Sequence, residues 1–154
     1  MTSTDYSGRM VDLLMFQGVK PAGEAAITLG LGDAGEICTG AQKLSQSFAL
    51  LFLTRKGSID KHPEWGTDFV TACQQGRINK ERDVQSEFST AAELVRRTLS
   101  TEWAALPKDE KLVSATLQSF SKDRDAAKLI LYVKLRTAAG SELVIVLPVG
   151  VAIR

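Results

Sequence analysis

Histidine and cysteine are scarce in this chain. His62 is the only histidine among 154 residues, and Cys38 and Cys73 lie far apart, without CxxC spacing. Zinc sites draw mainly on these two residue types, so the composition argues against a metal centre. We expect two buried thiols and predict neither a metal nor a cofactor.

The chain also lacks a charge imbalance and a long apolar run. Nineteen basic residues face eighteen acidic ones, so no net field attracts nucleic acid or an anionic membrane. The longest uncharged apolar stretch, residues 143–153, is too short for a membrane-spanning helix, and the N-terminus lacks the apolar run of a signal peptide. We therefore expect a protein made in a cytoplasm that recognises partners by shape, with neither nucleic acid nor membrane among them.

Glycine is frequent in the first forty residues and interrupts their apolar patches. We predict a glycine-rich arm over 1–40, followed by one domain over 41–154. The spacing at 30–35 matches the nucleotide-binding pattern GxGxxG. However, Gly40 interrupts the helix that should follow, and the apolar run 50–53 stands where a ribose-binding acid is needed. This context argues against nucleotide binding.

Apolar residues recur at helical spacing in two segments. Segment 41–54 is apolar on most of its circumference, which predicts a buried helix. Segment 80–103 carries a long amphipathic stripe, with Asn79 as the candidate N-cap and Pro107 beyond its end. A short helix is also plausible over 68–75.

The pattern changes to that of strands after Pro107. Segments 112–120, 128–137 and 142–149 are strand-like and are separated by short polar connections, which predicts an antiparallel meander. Helices followed by strands in blocks indicate an α+β fold. We expect the long helix to cover one face of the sheet.

The stretch LTRKGSIDKHPEWGTDF, residues 53–69, connects the first two predicted helices. Gly57 can close the first helix in a left-handed conformation, Pro63 can fix a turn, and Gly66 is a second permissive position. Thr67 can cap the next helix, and Trp65 can anchor the loop in the core. The residues predicted to form this structural loop are Arg55, Lys56, Gly57, Pro63, Glu64, Trp65, Gly66 and Asp68.

Catalysis is the alternative for the same stretch. Asp60, Glu64 and Asp68 could supply the two carboxylates of a glycosidase, and His62 could act as a general base. Acidic residues in a polar loop are more often solvated or capping, and no Ser/His/Asp pattern or phosphate-cradling loop supports catalysis. We therefore predict a structural loop and no catalytic residue.

The order of motifs resembles a known family. The helix QKLSQSFALLFLT, the following TRKGS, and then PEWGTDF resemble the baseplate wedge proteins of contractile-tailed phages, whose members initiate the sheath and have sometimes been labelled lysozyme-like. The similarity covers residues 41–149 in order. It implies a non-enzymatic virion component, present in several copies in a sixfold baseplate, that contacts other wedge proteins, the tail sheath and the tail tube.

The resemblance also implies two interfaces. Such families carry an acid, a proline and an arginine where the long helix meets the first strand and contacts the helical core bundle of the wedge; this chain has Leu106, Pro107 and Lys108 there. The proline is kept, the acid is absent, and lysine replaces the planar arginine fork. The second predicted interface is the terminal strand, which we expect to receive a sheath strand, at Leu143, Val144, Ile145 and Val146.

Two other functions remain open at this point. One is a cell-wall glycosidase of the tail, as the label lysozyme-like suggests. The other is the equivalent baseplate part of another contractile injection system, such as a secretion system or a tailocin.

Overall fold

The computed structural model describes residues 37–102 and 105–152, together with the backbone of three strand segments at 12–13, 16–17 and 28–29. The short N-terminal strands are β1 (Asp12–Leu13), β2 (Phe16–Gln17), β3 (Thr28–Leu29) and β4 (Ile37–Cys38). The helices are α1 (Gly40–Leu53), α2 (Phe69–Gln74) and α3 (Glu81–Glu102). A 3₁₀ helix at Lys108–Glu110 leads into the long strands β5 (Leu112–Asp123), β6 (Lys128–Thr137) and β7 (Glu142–Gly150).

The long strands form an antiparallel sheet in the order β5-β6-β7, which confirms the predicted meander and the α+β class. Strand β5 continues past its predicted end at Phe120, because Ser121 and Lys122 pair with Ile130 and Leu129. The turn that follows is therefore shorter than predicted, and only residues 124–127 lie between the strands.

One face of the sheet and the three helices enclose the core. Helix α3 packs near β5, while α1 and α2 pack near β7. The ring of Phe52 lies where the helices meet, with its centroid 5.0 Å from that of Phe69 and 5.4 Å from that of Phe88. The buried residues of the central strand alternate as expected for a sheet covered on one face: Leu129, Leu131, Val133 and Leu135. Cys38 and Cys73 are both buried thiols, as predicted.

The helix ends differ from the sequence expectation. The side chain of Asn79 does not cap α3 but donates to the carbonyl oxygen of Gly76, 2.9 Å away. Asp83 instead reaches back and accepts the N–H groups of Lys80 at 2.9 Å and Asn79 at 3.3 Å. The hydrogen bond from Lys80 is the main reason why the pKa of Asp83 is lowered. Trp103, the last residue of the predicted stripe, lies outside the described residues.

The predicted N-terminal arm contains two antiparallel ladders. Strand β1 pairs with β4, and β2 pairs with β3. The GxGxxG segment at 30–35 lies outside the described residues. Within the described ranges, no helix combines the length and apolarity that crossing a membrane requires.

Candidate functional site

The loop between α1 and α2 is closed by its own backbone. The N–H of Thr67 donates to the carbonyl oxygen of Thr54 at 2.8 Å, and the N–H of Lys56 donates to the carbonyl oxygen of Thr67 at 3.1 Å. The hydroxyl of Thr67 donates to the carbonyl oxygen of Phe52 at 2.6 Å. The two sequence motifs TRKGS and PEWGTDF are therefore joined at the base of one loop.

The two loop glycines have different roles. Both have positive φ, +79° at Gly57 and +94° at Gly66. A Cβ at position 66 would stand 2.6 Å from the carbonyl oxygen of Thr54, whereas one at position 57 would meet no described atom within 4 Å. Gly57 does not close α1 as predicted, since the helix ends at Leu53 and the N–H of Thr54 makes the last bond, to Leu50. Gly66 is the glycine that loop closure requires.

Trp65 holds the middle of the loop against the core. Its side chain is half-buried and packs on the core cluster. The ring of His62 stacks on it with centroids 4.0 Å apart, and the N–H of Trp65 donates to the carbonyl oxygen of His62 at 3.0 Å. That bond closes a turn with Pro63 at its second position, where proline is favoured.

The carboxylates of the catalytic alternative lie on the outside of this loop. Asp60, Glu64 and Asp68 are all exposed, and Glu64 lies 3.4 Å from His62 Nδ1. A glycosidase acid is kept protonated by an apolar pocket, whereas these three carboxylates are exposed to water. The described residues contain no cluster of three or more histidine, cysteine, aspartate or glutamate side chains suited to a metal ion.

A buried glutamate connects the predicted helix-to-strand junction to α1. Glu110 is 2% exposed. Its Oε1 accepts the N–H of Gly40 at 2.9 Å, and its Oε2 lies 3.0 Å from Lys43 Nζ. Helix α1 has no acid in its first turn, and the side chain of Thr39 makes no capping bond in the described structure. Glu110 therefore supplies the negative charge that the helix N-terminus favours.

Sequence reasoning missed Glu110 because it sought an acid before Pro107 rather than after it. The available signal was the pair of acids in the polar run 108–111, since Thr39 stands where a helix cap is expected. That signal does not identify the partner of either acid, because Gly40 and Glu110 are 70 positions apart.

The junction is also bound to the turn between β6 and β7. The N–H of Ala139 donates to the carbonyl oxygen of Lys108 at 3.1 Å, and that of Ala138 donates to Lys111 at 2.9 Å. Leu106 and Pro107 are half-buried, while Lys108 is exposed. The backbone of the predicted junction interface is thus fixed by hydrogen bonds to the neighbouring turn, while the side chain of Lys108 is exposed.

The outer edge of β7 follows from its register. The bonds from Thr137 N–H to Ser141 O and from Val151 N–H to Ala127 O, both 2.9 Å, mark hydrogen-bonded pairs at the two ends of the β6–β7 ladder. Hydrogen-bonded and non-hydrogen-bonded pairs alternate, so the peptide groups of Val144 and Val146 point away from β6. Pro148 falls at the next such position, where its missing N–H breaks no ladder bond.

The four predicted interface residues of β7 are not equivalent. Val144 is 40% exposed, whereas Val146 is only 7% exposed. Ile145 is buried and Leu143 is half-buried on the core face. Only Val144 offers an exposed side chain, so a partner at this edge would bind mainly through the main chain.

The two edges of the sheet differ in regularity. Strand β5 has register shifts between Leu112 and Ser114 and between Leu117 and Ser119. Strand β7 pairs residue for residue from Glu142 to Gly150. Bulges discourage edge-to-edge pairing, so β7 is the better template for an added strand.

Comparisons with known proteins give one distant likeness. No protein-family model matches the sequence, and no curated protein matches it. Among solved structures, the chain is similar to a Geobacter sulfurreducens protein described as a "putative tail lysozyme", with 14% identity, a TM-score of 0.45, and coverage of 77% of this chain and 97% of that one. Similarity this low does not transfer the description to this chain.

Proposed function

We propose that this protein is a structural component of a contractile tail baseplate, a wedge protein that initiates sheath assembly. The observation that carries the proposal is the closure of the loop by Thr54 and Thr67. The two motifs behind the sequence resemblance, TRKGS and PEWGTDF, contribute opposite ends of that closure. The two motifs occur together because their backbones are hydrogen-bonded to each other, as expected of residues that have a structural role.

The order of elements supports the same proposal. An apolar helix, the closed loop, a long amphipathic helix, a proline and an antiparallel sheet follow one another as the resemblance implies. The regular outer edge of β7 suits strand addition, in which main-chain hydrogen bonds supply affinity. We propose that the partner at this edge is an arm strand of a sheath subunit.

The remaining partners follow from the assembly. The junction at 106–108 would contact other wedge proteins, and the tail tube would lie nearby, with several copies arranged in sixfold symmetry. The protein would then reside in the virion tail after assembly in the host cytoplasm.

Co-purification tests this proposal directly. Particles would be isolated through a tag on this chain, and their proteins identified by mass spectrometry. Sheath, tube and wedge proteins in constant ratios are expected, and a chain recovered free of them would contradict the proposal. Capsid proteins in the same particles would identify a phage, whereas their consistent absence would favour another contractile injection system.

The glycosidase alternative is tested with the same preparation. Peptidoglycan turnover would be measured for the parent and for a variant with both Glu64→Gln and Asp68→Asn. We expect no turnover by either protein and normal assembly by both. Turnover by the parent that the stable, assembled variant loses would replace the structural proposal with an enzymatic one.

A further inference from the structure

A cleft of about 410 Å³ opens at the end of the sheet where β5 turns into β6, which is the end away from the helix-to-strand junction. Its apolar wall comes from α2, from the connection to α3, from β6 and from the segment after β7: Cys73, Ile78, Leu129 and Val151. A cavity of this size lies within the range of small-ligand sites. The cleft is therefore large enough to hold a terminal residue of another chain.

Backbone hydrogen bonds fix the walls of the cleft. The N–H of Val151 donates to the carbonyl oxygen of Ala127 at 2.9 Å, and the N–H of Ala152 donates to that of Cys73 at 3.3 Å. These two bonds hold the segment after β7 against the β5–β6 turn and against α2. Because the walls are already fixed in the folded chain, a ligand would lose little free energy in ordering them.

Two cations and one acid are found among the described residues that line the cleft. Lys122 and Arg124 are exposed, and neither forms an ion pair with a described residue. The Nζ of Lys122 lies 3.4 Å from the carbonyl oxygen of Asn79, a long contact that leaves it available to a ligand. The acid is Asp123, whose Oδ1 accepts the N–H of Ala126 at 3.0 Å and so faces the turn. The lining thus has a net positive charge.

The positive charge adjoins the apolar wall. Burial and the Glu87 carboxylate raise the pKa of the Cys73 thiol to about 11, while Lys122 opposes both effects. The ammonium of Lys122 is therefore close enough to act on a buried residue of the wall. Glu87 lies near the same thiol from α3 but is not a lining residue of the cleft. A ligand in the cleft would meet apolar side chains and cations side by side.

This arrangement suits an occupant that carries an aliphatic group and a carboxylate together. We propose that the cleft binds the carboxy-terminal residue of another protein chain, with its side chain against Ile78 and Leu129 and its carboxylate beside Lys122 and Arg124. A terminal residue has both groups on one α-carbon, whereas an aspartate or glutamate side chain offers a carboxylate without an aliphatic branch. Capture of a terminal carboxylate is a recurring mode of peptide recognition. Charge-assisted hydrogen bonds orient the ligand, and burial of its side chain supplies affinity.

Three acetylated peptides that differ only at the last residue test this chemistry. The first ends in leucine with a free carboxylate, the second in leucinamide, and the third in glycine with a free carboxylate. Binding would be followed by the amide chemical shifts of the isotope-labelled full chain. We expect the first peptide to shift the amides of Gly76, Val151 and Ala152, and to bind at least about tenfold more tightly than either of the others.

Matched variants locate the carboxylate. Lys122→Gln combined with Arg124→Gln should weaken binding of the first peptide about tenfold or more, because both charge-assisted contacts are lost. Arg136→Gln removes an exposed cation at the other end of β6 and should leave binding unchanged. Added salt should weaken binding of the first peptide more than that of leucinamide, since only the first relies on opposite charges. Amide spectra of the variants would establish that both are folded.

Four outcomes would overturn the inference: no shifts at the cleft, equal binding of the carboxylate and the amide, equal binding of the leucine and glycine peptides, or equal losses in the double variant and in Arg136→Gln. None of these measurements involves particles. The inference is independent of the proposed function, because it uses neither the junction at 106–108 nor the edge of β7. Failure of the peptides to bind would leave the baseplate proposal unchanged, and failure of co-purification would leave the peptide binding unchanged.

Discussion

Gly66 lies so close to Thr54 that a Cβ at position 66 would be 2.6 Å from the carbonyl oxygen of Thr54. The same carbonyl accepts the N–H of Thr67, so close approach and hydrogen bonding occur at one point. Loop closure therefore depends on the absence of a side chain at Gly66. The contact holds the polar loop between α1 and α2 in one conformation at the surface.

Gly66→Ala should cost far more stability than Gly57→Ala. Each change places a side chain at positive φ, which costs about 1–2 kcal/mol. At position 66 the new methyl group must also displace backbone, adding about 1–3 kcal/mol. Denaturant unfolding of the two variants measures the difference, and equal losses would show that the loop relaxes freely around position 66.

Trp65→Ala should lower the free energy of unfolding by about 3 kcal/mol, because half-burial places the indole at the low end for aromatic truncations. His62→Ala should cost less, since its stacking on Trp65 is worth about 0.5–1.5 kcal/mol. A double-mutant cycle separates stacking from core packing. Unchanged melting of the Trp65 variant would make Trp65 a partner-binding residue instead.

Glu110→Ala should destabilise the chain by roughly 3–5 kcal/mol, since it leaves Lys43 and the start of α1 without their buried carboxylate. Glu142→Ala is the matched control, because it removes an exposed carboxylate 2.7 Å from Lys134. Its effect should be much smaller, as exposed pairs are screened by water. Similar unfolding curves for the two variants would contradict the role assigned to Glu110.

The sequence predicts those parts of the fold that follow from a periodic spacing of apolar residues. Phe48 and Phe52 in α1, like Val84 and Phe88 in α3, are four positions apart, and this helical spacing identifies the buried face of each helix. The Glu110 contact has no such local signature, since its partners lie in a different helix.

The end of β5 shows another limit of local patterns. Ser121 and Lys122 are polar and exposed yet continue the strand, because the pairing with β6 holds their backbone. The closed loop is an intermediate case. Its turn residues can be predicted from the sequence, whereas the close approach of Gly66 to Thr54 is seen only in the folded structure.

The Cys73 thiol should make stability depend on pH in the alkaline range. Burial, aided by the nearby Glu87 carboxylate and opposed by Lys122, raises the pKa of Cys73 from 9.0 to about 11. Folding thus favours the protonated thiol, so its contribution is complete below pH 9 and is lost as pH rises through about 11.

The loss should amount to at most about 2–3 kcal/mol. Urea unfolding of the parent and of Cys73→Ala across this range isolates the effect, because other titrating groups contribute equally to both. Parallel pH profiles would show that Cys73 ionises as readily in the folded chain as in the unfolded one.

Proline at position 144 should block sheath polymerisation without unfolding the chain. The peptide N–H of Val144 points away from β6, so its loss leaves the β6–β7 ladder intact while removing a donor from the outer edge. The exposed side chain also makes this position a better probe than Val146, where proline would disturb a buried site.

Val144→Thr is the control, because it keeps both the β-branched shape and the N–H. Tails carrying Val144→Pro should contain wedges but no sheath when viewed by electron microscopy, whereas tails carrying Val144→Thr should have normal sheaths. A thermal melt close to that of the parent would establish that the proline variant is folded. Normal sheaths on folded Val144→Pro particles would exclude strand addition at this edge, since a carbonyl oxygen of the added strand would have lost the N–H of Val144 as its donor.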